Sequence, residues 1–416
     1  MAAFRLLRIT VALCFSASVL AACSSGGGAP AAGSSPSPIG TATAVASAAP
    51  TASPSAAPAA SPSAGPTAVA SSAPTATPAS GSTPAITGLH VSGNEILNGA
   101  NQQIVPHGVD RSGTEYTCVQ GNGIFDGPSD QTSVAAMASW HINAVRVPLN
   151  EDCWLAINGV NASYAGANYQ NAIVNYVDLL NSNGLIAILD LHWNAPGTTS
   201  ATGQEPMADA DHSPAFWTSV ASTFKGNSSV IFDLYNEPYS ITWSCWLNGG
   251  SSSACNTSFD LAGMNTLISS VRATGATNIV MAGGLAYSND LSEWLQNKPT
   301  DPAGNLAASW HVYNFNSCDT TSCYDSTAAP VAASVPIIAG EIGENDCADG
   351  FIDSLMPYMD AHGIGYLGWA WNADFNCSSG PSLISDYSGT PTAYGIGLQQ
   401  HLASIAPSSV RRRQSR

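Results

Sequence analysis

Two glutamates offer chemistry in this sequence, and each stands where an apolar run stops. Ile231-Phe232-Asp233-Leu234-Tyr235-Asn236-Glu237-Pro238 is a short apolar stretch ended by an amide, a carboxylate and a proline. About a hundred residues later, Pro336-Ile337-Ile338-Ala339-Gly340-Glu341-Ile342-Gly343 sets a second glutamate, here between Gly and Ile, after another apolar run. An apolar run without alternation reads as a parallel strand buried on both faces. A carboxyl group at its end can give or take a proton in a shielded place. Either stretch alone is equally a strand-ending turn, since Asn, Pro and Gly are ordinary turn residues.

The ends of the other apolar runs decide. Residues 144–148 carry Arg146, residues 187–193 end in His192 and Trp193, and residues 309–313 carry His311 and Tyr313. Residues 368–372 bring Trp369 and Asn372, and the first run ends near His107 and Asp110. Each has a bland account: Arg146 neutralising a buried acid, the histidines satisfied in the core, Trp369 packing. Polar groups are costly to bury without partners, however, so their recurrence at successive strand ends implies a shared site. Asp190 and Asp233, one strand step back, read as structural.

The elements that must position them alternate. Strands are expected at 103–109, 144–148, 185–191, 230–235, 278–282, 306–310, 335–339 and 364–369. Helical spacing falls at 134–140, 169–180, 216–224, 261–271, 291–295, 351–359 and 394–402. Strands alternating with helices demand a parallel sheet, and eight units predict an α/β fold closed as a (β/α)8 TIM barrel. A short N-terminal hairpin, 89–91 with 95–97 around Ser92-Gly93-Asn94, precedes it.

Only residues 85–408 have the composition of a folded domain. Residues 1–23 have Arg5 and Arg8 before a short apolar stretch and end in Leu20-Ala21-Ala22-Cys23. This resembles a lipoprotein signal with Cys23 as the lipidated residue, holding the chain to a membrane surface rather than spanning it. Residues 24–84 are Ala, Ser, Pro, Thr and Gly almost throughout. They cannot bury enough apolar surface to offset their entropy and are expected to form a disordered tether reaching roughly 50 to 190 Å. Residues 409–416 are a basic tail, Arg411-Arg412-Arg413-Gln414-Ser415-Arg416.

All 28 acidic residues fall in the domain, opposed by Arg111, Arg146, Lys225, Arg272 and Lys298. Such a surface repels nucleic acid and anionic polymers and suits a neutral substrate. The domain cysteines, Cys118, Cys153, Cys245, Cys255, Cys318, Cys323, Cys347 and Cys377, are even in number, as disulfides in an exported chain would be. They allow 105 connectivities; we adopt the sequential one, 118–153, 245–255, 318–323 and 347–377, which staples loops at one end of a barrel. No CxxC or His-Glu-x-x-His spacing calls for a metal, no Gly-x-Ser-x-Gly elbow for a serine hydrolase, and no cofactor is expected.

The strand-end set resembles glycoside hydrolase family 5, the cellulase family of clan A. The matching pieces are Val-Arg-Val-Pro (145–148), Leu-Asp-Leu-His (189–192), Phe-Asp-Leu-Tyr-Asn-Glu-Pro (232–238), His-Val-Tyr (311–313), Gly-Glu-Ile-Gly (340–343) and Trp-Ala-Trp-Asn (369–372), in family order. Many relatives have Phe where Ile342 stands. The resemblance implies a retaining endo-β-1,4-glucanase on cellulose or related β-glucan, with Glu237 the acid/base and Glu341 the nucleophile. Arg146 and Tyr313 would keep Glu341 ionised, Asn236 would bond the sugar 2-OH, His192 and His311 would orient hydroxyls or the acid, and Trp369 would form the sugar floor. At 5 Å and an effective dielectric of 20, the second negative charge costs about 3.3 kcal/mol, which would raise the pKa of Glu237. Trp154, Trp193, Trp243 and Trp246, in expected rim loops, are candidates for outer subsites. Glu344 is a rival to Glu341. β-Mannanase and exo-β-1,3-glucanase are alternatives within the family; an inert carbohydrate-binding surface lipoprotein is the alternative outside it. The expected partners are neutral polysaccharide and, through the lipid, a membrane surface, with the protein a monomer, exported and at the cell surface or extracellular.

Overall fold

The computed structural model describes residues 85–375 and 380–406. The lipobox with Cys23, the expected tether, Cys377 and the basic tail lie outside the described residues. A two-stranded hairpin comes first, β1 (His90–Ser92) against β2 (Glu95–Leu97). Eight parallel strands follow: β3 (His107–Asp110), β4 (Ala144–Asn150), β5 (Ile186–Trp193), β6 (Val230–Asp233), β7 (Val280–Gly283), β8 (Leu306–Tyr313), β9 (Ile337–Gly343) and β10 (Gly365–Gly368). Each pairs with the next, and β10 closes on β3 with Leu367 opposite Gly108. The fold is a (β/α)8 TIM barrel.

Helices α1 (Gln131–Ala138), α2 (Glu151–Leu155), α3 (Ala167–Ser182), α4 (Ser213–Phe224), α5 (Trp243–Asn248) and α6 (Ser252–Cys255) lie in the first half. Helices α7 (Met264–Ala273), α8 (Leu285–Ser288), α9 (Thr321–Ala332), α10 (Gly350–Ala361) and α11 (Ala393–Ile405) follow. A last hairpin, β11 (Ile384–Asp386) with β12 (Thr390–Pro391), precedes α11. Local chemistry sets several starts. The Asp130 side chain accepts from the Ser133 amide at α1, and Thr392 caps α11 by accepting from Gly395. The long α3 buries Tyr169, Ile173, Tyr176, Val177 and Leu180, one stripe at helical spacing.

Strand alternation divides the barrel into two cores. Residues such as Val145, Val147, Leu189 and Phe232 face the helices, whereas Ile186, Ile188, Ile231, Met281, Ala307, Ile338 and Leu367 face inward. Leu89, Ile96 and Ile104 join the inward cluster, so the N-terminal hairpin covers the strands' N-terminal ends. The same inward rows continue toward the C-terminal ends as Arg146, Asp190, His192, Asp233, Ser309, His311 and Tyr313. On β9 the parity changes. Trp310 sits opposite Ala339 but His311 opposite Glu341, so one extra residue, Gly340, is accommodated there. That bulge turns Glu341 inward and Ile342 out to the helix-side core.

Some expected elements differ. The first strand, expected over 103–109, starts only at His107 and ends at Asp110, because Asn143 Oδ1 takes the His107 amide and fixes where the β3–β4 ladder begins. His107 is therefore far from the rim. The expected helix over 291–295 is a series of turns, in which Asp290 accepts from the Ser292 amide and Trp294 Nε1 donates to the Ala282 carbonyl. Helix α9 lacked an apolar signal, since it carries Pro330 and a Thr/Ser-rich start.

Disulfides join Cys118 to Cys153, Cys245 to Cys255 and Cys318 to Cys323. The expected pairing of Cys347 with Cys377 lies outside the described residues. The Cys118–Cys153 bridge spans 35 residues. Replacing both with Ser should cost about 4 kcal/mol through restored loop entropy, read as a melting temperature lower by roughly 10 °C; an unchanged melt would show that native contacts alone hold the loop.

Candidate active site

Arg146, fully buried on β4, lies at the centre of the strand ends. Its guanidinium reaches Asp110 on β3 at 3.1 Å, Asp190 on β5 at 3.1 Å, Asp233 on β6 at 3.1 Å and Glu341 on β9 at 3.0 Å. Nη2 also donates to Asn236 Oδ1 at 2.8 Å. A buried cation is tolerated only when paired and hydrogen-bonded, and here the ends of four other strands supply five partners. Four carboxylates exceed one positive charge. Burial correspondingly pushes the Asp110 carboxyl well above its ordinary range, and that of Asp233 to about 7, against the pull of Arg146. Asp190 and Asp233, read as structural, are structural in this specific sense.

Glu341 is held on both oxygens. Oε1 accepts from Arg146, and Oε2 accepts from the Tyr313 hydroxyl at 2.5 Å. Glu237 has different company. His311 Nδ1 lies 2.9 Å from its Oε1, and Gln204 Nε2 donates to Oε2 at 3.0 Å. Burial raises the Glu237 pKa, with the Gln204 bond and nearby positive charge opposing. The expectation that the second carboxylate would be the cause is corrected: Glu341, paired with Arg146, is not among the leading causes. Burial pushes the His311 imidazole down to about 3, so it is neutral. One carboxylate oxygen from each glutamate and a His311 nitrogen lie within 4.8 Å of one another. These are donors a cation could use, but it would sit beside the Arg146 charge. Gly340 makes room for the group: a Cβ there would lie 2.8 Å from His311 Nε2 and 3.3 Å from Asp233 Oδ2.

The two carboxylates open into a cleft of about 660 Å³, lined by His192, Gln204, Asn236, Tyr287, Tyr313, Phe315 and Trp369. Trp369 stacks on His192 with ring centres 5.4 Å apart, and His192 is held by Asp190 at 2.9 Å. Burial works to lower the His192 pKa, but the charge and hydrogen bond of Asp190 outweigh it and the net shift is upward. The cleft continues past Trp369 to Trp193, Tyr116, Glu115 and Phe375. On the other side Tyr287 stacks on Tyr239 at 4.7 Å and Phe315 on Tyr313 at 5.0 Å.

Of the four outer-subsite tryptophans, only Trp193 lines this cleft. Trp154 is fully buried between α2, α3 and α4, edge-on to Tyr169 and Phe216, with Nε1 donating to Ser219. Trp246 is fully buried and donates to the Gly283 carbonyl, while Trp243 packs edge-on against it. Both lie on α5, which the sequence pattern did not reveal, so a rim loop was expected where a helix packs. Glu344 is also structural, since it accepts from the Phe351 and Ile352 amides opening α10. Gln204, Tyr116 and Phe315 sit on loops and Tyr287 on the four-residue α8, segments with no periodic signal in the sequence.

A family model described as cellulase (glycosyl hydrolase family 5) matches residues 109–375. A mannan endo-1,4-β-mannosidase of Streptomyces lividans is 24% identical over 301 residues, covering 70% of this chain and 67% of that protein. The mannan endo-1,4-β-mannosidase of Cellvibrio japonicus is 21% identical over 75% of this chain and 65% of its own length. The chain thus spans about two thirds of these relatives. In fold it matches the crystal structure of a β-glucanase of Saccharophagus degradans in complex with cellotetraose, with TM-score 0.59 and 19% identity, covering 77% of this chain and 94% of that one.

Arg146→Met should strip the carboxylate cluster of its counter-charge and lower stability by about 3–5 kcal/mol in urea unfolding. Asp233→Asn tests the proton. With its folded pKa raised to about 7, Asp233 favours the native state below the unfolded carboxyl range, and that contribution is lost as pH rises toward 7. The Asn variant should therefore show a shallower loss of stability between about pH 4 and 7; an unchanged slope would place the proton elsewhere.

Proposed function

The chain belongs to glycosyl hydrolase family 5, and from that premise we propose that it is a retaining endo-β-1,4-glucanase in which Glu341 is the nucleophile and Glu237 the acid/base. The observation carrying this reading is that two carboxyl groups in close approach have opposite environments. Retaining hydrolysis wants the pair about 5–5.5 Å apart, and an oxygen of one lies within 4.8 Å of an oxygen of the other. Glu341, gripped by a guanidinium and a phenol hydroxyl, suits an anion that attacks the anomeric carbon. Glu237, partly buried against a neutral imidazole, suits a group that holds a proton for the leaving oxygen. After the aglycone departs, the ionised Glu237 takes a proton from water, which displaces Glu341 from the sugar and regenerates both groups.

The supporting residues follow. Asn236 spends its carbonyl on Arg146, which aims its amide N–H groups at the cleft, where a sugar 2-OH would accept. Trp369, backed by His192, offers an apolar face to the reacting ring. Aromatic rings on both sides of the carboxylates favour a chain passing through, hence endo action. β-Mannanase is the second reading, favoured by the mannan endo-1,4-β-mannosidases among the relatives. Two further proposals concern the ends of the chain. Cys23 is lipidated and holds the enzyme at the cell surface, and residues 24–84 are the spacer; three disulfides in the described domain suit an oxidising compartment. Cys23→Ser should then move the protein from the membrane fraction to the soluble one.

The roles separate by leaving group. Glu237→Gln should slow polysaccharide cleavage by roughly 10²–10⁴-fold yet still release an activated phenol that departs without a proton. Glu341→Gln should lose both activities. Equal losses in the two variants on both substrates would refute the assignment. A product profile on cellulose, mixed-linkage glucan, mannan and xylan decides the sugar: release from mannan alone would replace glucanase by mannanase and leave the mechanism standing.

A further inference from the structure

Away from the cleft, three acidic or imidazole side chains turn their donor atoms toward one another. Glu151 directly follows β4, and Asp209 and His212 stand in the loop between β5 and α4. One donor atom from each lies within 4.8 Å of the other two. Glu151 and Asp209 are fully buried, and the His212 side chain is 22% exposed.

The surroundings orient this group. Asp209 Oδ1 accepts from the His212 amide at 2.7 Å and the Ser213 amide at 3.3 Å, and Oδ2 from Asn194 Nδ2 at 2.7 Å. The Ser213 hydroxyl stands 2.9 Å from Asp209 Oδ2 and 2.7 Å from Glu151 Oε2. Two atoms remain without a hydrogen-bond partner, Glu151 Oε1 and His212 Nδ1. A buried carboxylate oxygen left so is costly. His212 Nδ1 is 3.8 Å from Asp209 Oδ1 and 3.5 Å from Asp211 Oδ2. Those separations are too long for hydrogen bonds, but donors about 2.1 Å from a shared tetrahedral ion stand about 3.4 Å apart.

We propose that Glu151, Asp209 and His212 form a structural site for a divalent transition ion of the Zn²⁺ class, with Asp211 or water completing the shell. One imidazole with two carboxylates suits Zn²⁺ or Mn²⁺, whereas Ca²⁺ wants an all-oxygen shell of six or more. The ion ties the end of β4 to the loop before α4, two residues from the Cys118–Cys153 bridge. The strongly acidic domain gathers cations toward it. Sequence spacing conceals the site, because its ligands are 58 residues apart and follow different strands.

The test is calorimetric and thermal titration of chelator-stripped protein with ZnCl₂, MnCl₂ and CaCl₂. One ion per chain should bind, with Zn²⁺ or Mn²⁺ preferred, and at a hundredfold excess over Kd the melting temperature should rise by about 5 °C. His212→Asn, at a partly exposed position, should keep the melt of the stripped protein and lose the rise, with affinity down at least roughly tenfold; Glu151→Gln should weaken binding likewise. Glu341→Gln, in the cleft, should leave the Zn²⁺ titration unchanged. Three results would overturn the site: no saturable binding by the wild type, which leaves a shared proton between Glu151 and Asp209; binding that survives His212→Asn and Glu151→Gln; or binding abolished by Glu341→Gln, which places the ion on the cleft carboxylates.

Discussion

The constraint on which the site depends is the burial of one guanidinium. Taking a charge such as that of Arg146 out of water costs several kcal/mol even after relaxation, and the barrel offsets this only by bringing five partners from four other strands to within about 3 Å. Those partners are spread from residue 110 to residue 341. The register of β3, β4, β5, β6 and β9 must therefore be right together, or the charge is left unpaired. Barrel closure and active-site geometry are in this way one problem. Burial pushes Asp110 and Asp233 toward their protonated forms, which lessens the negative charge that Glu341 must share.

A second constraint is parity. Alternation along a strand sends every other side chain inward, and it places Arg146, Asp190, Asp233 and His311 on the interior without special provision. Glu341 would point outward by the same count. The bulge at Gly340 restores it, and the residue has to be small, since His311 Nε2 and Asp233 Oδ2 close over the position a Cβ would take. The glycine before the glutamate is thus part of the site's geometry, and Ile342, beyond the bulge, is a core residue packed behind the strand.

These differences in origin explain what the sequence made legible. Elements that recur as apolar runs could be counted, and polar residues at their ends could be collected into one face, which recovered the barrel and the Arg146, His192, Asn236, Glu237, His311, Tyr313, Glu341 and Trp369 group. Residues on loops, and on a helix as short as α8, carry no readable period, so Gln204, Tyr116, Phe315 and Tyr287 were invisible although they touch or line the cleft. Tryptophan misled for a related reason. Its size suits both a sugar platform and a core plug, and Trp154 and Trp246 became plugs because short helices, α2 and α5, formed where loops were expected. The parity change at Gly340 could not be read at all, since a bulge is defined by the partner strand.

The way the two glutamates are kept apart in character has a consequence for the proposed catalytic cycle. Were mutual repulsion the source of the raised Glu237 pKa, esterifying Glu341 with the sugar would remove it, and the acid would become a ready base by that step alone. Here Arg146 already compensates Glu341, and the shift on Glu237 comes first from burial. Forming the glycosyl ester then changes Glu237 less, and departure of the leaving group matters more: it opens the space beside Glu237 to water and reduces the desolvation that held the proton. The switch from acid to base is on this account coupled to emptying of the leaving-group side of the cleft beside Glu237, so the contacts that hold the leaving sugar also govern when its replacement by water becomes productive.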